Sequence, residues 1–139
     1  MQDVKPLLLV EDNIVDAMSI KRALQELGAS SRLVHVTSGE EALAHLTSQQ
    51  HPRPSLILLD LNMPRMSGIE LLQAIKSDET LLTIPVIVLT TSDERTDILD
   101  SFGFSVAGYV VKPFDFAQFR ETVKAIDSYW RLSQLPTGV

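Results

Sequence analysis

Leu56-Ile57-Leu58-Leu59-Asp60-Leu61-Asn62-Met63-Pro64 is the stretch on which the fold of this chain turns. Four consecutive aliphatic residues leave no polar face, which fits a strand covered on both sides of a parallel sheet, and the aspartate that ends the run marks where the strand leaves the core. Three further runs have the same form. Residues 7–10 (Leu-Leu-Leu-Val) end in Glu11-Asp12, 86–89 (Val-Ile-Val-Leu) in Thr90-Thr91, and 109–111 (Tyr-Val-Val) in Lys112-Pro113. Open parallel sheets place ligand sites beyond the carboxyl ends of their strands, so these four polar ends should converge on one rim.

Amphipathic helical patterns separate the runs, and a short apolar segment over 33–36 supplies one more strand. The alternation is β-α repeated five times, which predicts an α/β fold with a doubly wound, five-stranded parallel sheet. A first helix over 15–27 lines up Ala17, Ile20, Leu24 and Leu27, with Gly28 as its left-handed terminator. Ser38 with Glu41, and Ser67 with Glu70, form capping-box patterns that open the second and third helices. A weaker fourth helix covers 93–102. The fifth carries Phe116, Phe119, Val123, Ile126 and Trp130 at steps of three and four, a stripe expected to pack on the sheet. The segment His51-Pro52-Arg53-Pro54 reads as a surface loop.

The 139 residues suit one domain, expected over 1–139 with a core of about 5–131, a tail over 132–139 and no output domain. With 45% hydrophobic and 22% charged residues the chain is of globular type. The absence of cysteine excludes a disulfide framework, thiol catalysis and cysteine-zinc sites. A net charge of −6 argues against a surface built for nucleic acid or anionic membranes. The start of the chain lacks a secretory pattern and no apolar run approaches the roughly 20 residues of a spanning helix, so a cytoplasmic protein is expected.

Three carboxylates gathered at a strand rim repel one another unless a cation joins them, and an all-oxygen donor set suits magnesium, with manganese able to substitute. Asp60 ends the central run, where other groups surround it, which makes it the candidate nucleophile. A carboxylate can take a phosphoryl group as an acyl phosphate, and that transfer depends on positioning and on neutralising the moving oxygens.

Glu11-Asp12, Asp60 within Asp-Leu-Asn-Met-Pro, Thr90, Tyr109 and Lys112-Pro113, in this order, resemble the receiver domain of two-component response regulators, over almost the whole chain. The resemblance implies strand order 2-1-3-4-5 and a phospho-accepting signalling module rather than an enzyme. It implies that Asp60 accepts phosphate from a sensor histidine kinase, and that Asp12 and Asp60 ligate Mg2+ directly. Glu11 would hold a metal-bound water and Asn62 would offer its backbone carbonyl. Lys112 would pair with the phosphoryl oxygens and the Thr90 hydroxyl would help to neutralise them, Pro113 would follow a cis peptide, and Thr90 with Tyr109 would form the switch.

Isolated from this context, Lys112 reads as a solvated strand-end lysine, Thr90 as a turn hydroxyl and Tyr109 as a sheet aromatic. His35, His45 and His51 lack ligand spacing and are assigned no chemistry. Glu11 stands where receivers more often carry aspartate, and Thr91 where many carry alanine or glycine, which adds bulk beside the phosphoryl site. A haloacid dehalogenase would need a second acid where Asn62 stands, and a flavodoxin-like carrier would not place Glu11-Asp12 at its phosphate loop. A phosphorelay intermediate and a phosphate-independent dimeric adaptor are the remaining alternatives.

Glu11-Asp12-Asn13 with Asp16, the 49–55 loop, and Tyr129-Trp130-Arg131-Leu132 with Leu135-Pro136 resemble the stand-alone response regulators that partner bacterial phytochromes. The aromatic and leucine residues of that ending predict a homodimer through the side formed by the fourth helix, fifth strand and fifth helix. The competing expectation is that Trp130 folds back over the sheet edge.

Overall fold

A computed structural model describes residues 6–28 and 32–133. The elements run β1 (Leu7–Val10), α1 (Ile14–Glu26), β2 (Leu33–Val36), α2 (Gly39–Thr47), β3 (Leu56–Leu59), α3 (Gly68–Lys76), β4 (Val86–Thr90), α4 (Arg95–Gly103), β5 (Gly108–Val111) and α5 (Phe116–Leu132). All strands pair in parallel in the order β2-β1-β3-β4-β5. This is the doubly wound α/β sheet expected from the sequence.

Burial on both faces explains the unbroken apolar runs. Leu9, Leu56, Leu58, Ile87 and Leu89 face α1 and α5, packing with Ile20, Leu24, Phe119 and Val123. Their neighbours Leu8, Val10, Ile57, Leu59, Val86 and Val88 pack with Ala42, Leu71, Leu72 and Ile75 on the opposite face. Alternate residues of one strand therefore serve two cores, and a one-residue slip of register would exchange them.

The helix ends follow their caps. Asn13 caps α1 through the Asp16 amide, one residue earlier than expected, and Gly28 (φ 76°) takes the left-handed position after it. Ser67 and Glu70 complete a capping box. Ser38 caps α2 from one side only, because the Glu41 carboxylate accepts from the Thr37 hydroxyl and amide instead of the Ser38 amide. The first turn of α4 begins at Arg95 rather than 93, where the Glu94 amide donates to the Ser92 hydroxyl.

On α5, Phe119, Val123, Ile126 and Trp130 face the core, but Phe116 is 64% exposed. Asp115 is the cap, so Phe116 occupies the first helical position, at the rim rather than over the sheet. Trp130 packs on the α1/α5 core, as the fold-back expectation has it, while Tyr129 and Leu132 remain exposed. Leu135-Pro136 lie outside the described residues. The 51–54 loop is held to the segment before β4, with the Arg53 guanidinium donating to the Thr80 carbonyl and the Thr83 hydroxyl.

Candidate phosphoryl-transfer site

The last rungs of the sheet ladder fix the site. The Glu11 amide donates to the Val36 carbonyl (3.1 Å), the Asp60 amide to the Val10 carbonyl (3.1 Å) and the Lys112 amide to the Thr90 carbonyl (2.7 Å). Each functional side chain thus leaves from a backbone already held by its neighbour strand. Beyond Asp60, the chain turns under α3, where the Gly68 amide donates to the Leu61 carbonyl (3.0 Å). A Cβ on Gly68 would lie 2.5 Å from the Leu61 Cα and 2.6 Å from the Asp60 carbonyl oxygen, so only glycine lets the helix start this close.

Glu11, Asp12 and Asp60 come together, with one ligand oxygen from each lying within 4.8 Å of the others. Glu11 and Asp60 are buried and Asp12 is partly exposed. Burial, reinforced by the Asp60 charge, pushes the Glu11 carboxyl up to about 7, with Lys112 opposing. Such a trio of close carboxylates is electrostatically incomplete. Its all-oxygen chemistry, with one open side at Asp12, fits a divalent ion of the magnesium or manganese class.

Lys112 is the buried cation of the site, 6% exposed. Its Nζ donates to Glu11 Oε1 (2.5 Å) and Asp16 Oδ2 (2.8 Å), and lies 3.8 Å from Asp60 Oδ2. Burial alone would lower the ammonium, but the hydrogen bonds to Asp16 and Glu11 and the charges of Asp60 and Glu11 outweigh it, so its pKa is raised. The Lys112–Pro113 peptide is trans, contrary to expectation: the described residues contain no cis bond. X–Pro bonds favour trans by roughly 0.5–1 kcal/mol, and the lysine reaches the carboxylates in that form.

Thr90 is fully buried, its hydroxyl within reach of the Asn62 amide group (3.5 Å) and the Ser92 amide (3.4 Å). Asn62 also donates to the Thr91 hydroxyl (3.2 Å), bridging the turns after β3 and β4. The Tyr109 hydroxyl donates to the Ser92 carbonyl (2.8 Å) and the Ser92 hydroxyl to Asp97 Oδ2 (2.6 Å). Burial raises the Tyr109 phenol, and the Asp97, Asp93 and Glu94 charges add to this while the bond to Ser92 opposes it. Thr90 and Tyr109 therefore meet at Ser92, which also holds α4.

Two contacts were not foreseen. In the sequence, Asp16 figures only in the resemblance to phytochrome-partner regulators and is given no partner there, although the Asn13-x-x-Asp16 cap places it in the first turn of α1. His35, assigned no chemistry, places Nε2 2.8 Å from the Glu11 carbonyl oxygen and steadies that backbone. His45 and His51 stack on each other, with ring centroids 4.2 Å apart.

The response regulator receiver domain model matches residues 7–124. The chain belongs to this family. Rcp1 of Synechocystis sp. (strain ATCC 27184 / PCC 6803 / Kazusa) is 37% identical over 130 residues, covering 91% of this chain and 88% of Rcp1. The Mn2+-bound form of Rcp1 superposes with a TM-score of 0.88 over 96% of this receiver and 99% of that chain. The phosphorylated cyanobacterial phytochrome response regulator RcpA superposes at 0.91 with 39% identity, over 97% and 100% of the two chains. The probable methanogenesis regulatory protein FilR2 of Methanothrix harundinacea (strain 6Ac) is 39% identical over 127 residues, covering 89% of the receiver and 82% of FilR2. Among the described residues no helix is long and apolar enough to cross a membrane.

Proposed function

We propose that this receiver takes a phosphoryl group from a sensor histidine kinase onto Asp60 and, so modified, changes a protein-binding face. The observation that carries the reading is the cluster around buried Asp60, where ligand oxygens of Glu11 and Asp12 come within 4.8 Å of its own and the buried Lys112 ammonium lies 3.8 Å away. Glu11, Asp12 and Asp60, with the Asn62 backbone carbonyl, would hold Mg2+. When bound, that ion neutralises charge on the transferring oxygens.

An Asp60 oxygen attacks phosphorus and the bond from phosphorus to the donor imidazole nitrogen breaks; the ring, already protonated on its other nitrogen, leaves as neutral imidazole. Lys112 needs only a short side-chain movement from 3.8 Å to pair with the new phosphoryl oxygens. Exposed apolar residues on the segments that leave the site, Ile14, Val15 and Met18 of α1 with Phe114 and Phe116 after Lys112, suit a protein donor better than a small one. The similarity to RcpA and Rcp1 favours a phytochrome of the histidine-kinase kind as that donor.

The readout passes through Thr90. A phosphoryl group that attracts its hydroxyl withdraws it from the Ser92 amide, and the Tyr109 contact with Ser92 is the two-state element that responds. Leu99, Phe102, Val111, Tyr129 and Leu132 are exposed along α4, β5 and α5, and we assign this side to a homodimer. The chain then acts in the cytoplasm as a non-enzymatic module that promotes only its own phosphorylation and dephosphorylation. Incubation with Mg2+ and a small phosphodonor, or with purified kinases, should label wild type at a site labile to alkali and hydroxylamine and leave Asp60→Asn unlabelled. Label retained in that variant would refute the assignment.

A further inference from the structure

We propose that Asp16 is a positioning residue that anchors the Lys112 ammonium beside, and not within, the cation pocket. The inference rests on the reading of Glu11, Asp12 and Asp60 as metal-binding groups. An ammonium has three protons to place. Lys112 gives one to Glu11 at 2.5 Å and one to Asp16 at 2.8 Å, while Asp60 at 3.8 Å attracts it without a hydrogen bond.

Glu11 and Asp60 belong to the acidic trio, so a cation bound there competes with Lys112 for both of them. Asp16 stands outside the trio. It is therefore the one carboxylate on Lys112 that the ion does not claim. Its place is fixed independently of the lysine: it lies in the first turn of α1, its amide donates to the Asn13 cap (3.0 Å), and its acid charge suits the helix N-terminus.

With Asp16 in position, Glu11 can turn to the cation while the ammonium stays a short swing from Asp60. Without it, the freed proton of Lys112 falls on Glu11 or Asp60 and the lysine becomes an internal competitor of the ion. The alternative is that Asp16, with a side chain 24% exposed, only adds negative charge near the site. The two differ in whether Lys112 is required.

Mn2+ affinity, measured by electron paramagnetic resonance at pH 7.5 on the full chain, separates them in a double-mutant cycle. Asp16→Ala, and Asp16→Asn as a second variant that keeps the shape, should each weaken Mn2+ binding about five- to tenfold, the scale of one lost charge-assisted contact. Asp16→Glu should restore most of it. In a Lys112→Gln background the same Asp16 substitutions should change affinity less than about twofold, since no ammonium remains to be misplaced. An equal loss in both backgrounds, or no loss with Lys112 present, overturns the proposal. The cycle reads metal binding and needs no phosphate. Failure of the small phosphodonor to label wild type would refute the phosphoacceptor reading and leave the Asp16 result legible.

Discussion

Replacing Asp60 by asparagine should make the metal-free protein more stable. Ligand oxygens of Glu11 and Asp12 lie within 4.8 Å of that of Asp60, so at pH 8.5, where the Glu11 carboxyl, raised to about 7, is ionised, and at an effective dielectric of about 20, each repulsion is at least about 3.5 kcal/mol, about 7 kcal/mol together. Lys112 at 3.8 Å returns about 4.4 kcal/mol of attraction on the same scale. The net is about 2.5 kcal/mol against folding, and Asp60 is too buried for salt to screen it fully. Asparagine keeps the shape and an oxygen for the weak contact with the Asn62 amide. In EDTA at pH 8.5, urea unfolding of Asp60→Asn should therefore report a gain near 2.5 kcal/mol, and its Tm should rise by roughly 10 °C for a domain of this size, the gain shrinking toward pH 6 as Glu11 takes up its proton. Millimolar Mg2+ should stabilise wild type and erase the difference, because the variant has lost an anionic ligand. A metal-free variant less stable than wild type would mean that the lysine outweighs the acids and that the trio is not the electrostatically incomplete site inferred above.

Other perturbations test neighbouring parts. Glu11 is raised from 4.5 to about 7, so between these values the folded protein binds more protons than the unfolded chain. Stability without metal should fall as pH rises through that window, by about 3 kcal/mol at most, and urea titrations of Glu11→Gln should lack that slope. Gly68→Ala pushes a methyl against the backbone of Asp60 and Leu61, and should cost about 2 kcal/mol or more in urea unfolding while displacing the Asp60 amide resonance. Thr90→Ala should still accept phosphate on Asp60 but abolish the phosphorylation-dependent shift of the Tyr109 ring resonances; an unchanged shift would break the proposed coupling.

The fold was legible because its strands are covered on both sides. A run such as Leu56–Leu59 cannot serve a half-exposed sheet, so parallel pairing followed from four residues, and the polar residue after each run located the rim. Phe116 was misread because a period of three and four describes a helix face but not where that helix extends past the sheet. The partners of Glu41 and Lys112 were illegible for another reason: a side chain with several donors or acceptors chooses among neighbours by distance. Thr37 outcompetes the Ser38 amide for Glu41, and Asp16, 96 residues from Lys112 in sequence, shares its ammonium with Glu11.

That sharing has a wider consequence for how the site is built. A buried lysine among carboxylates could neutralise the trio permanently, and a site so satisfied would have no need of an ion. Here the ammonium divides its strong hydrogen bonds between one trio member and one outsider, and leaves Asp60 at 3.8 Å. The Glu11 carboxyl stays raised despite the lysine, through burial first and the Asp60 charge second, so the lysine does not fully offset either. Under the proposed reading, helix α1 would contribute to the chemistry of Asp60 without touching it: by holding Lys112 at Asp16, it leaves the candidate nucleophile at 3.8 Å, free of a direct hydrogen bond to the ammonium, and the carboxylate trio open to a cation.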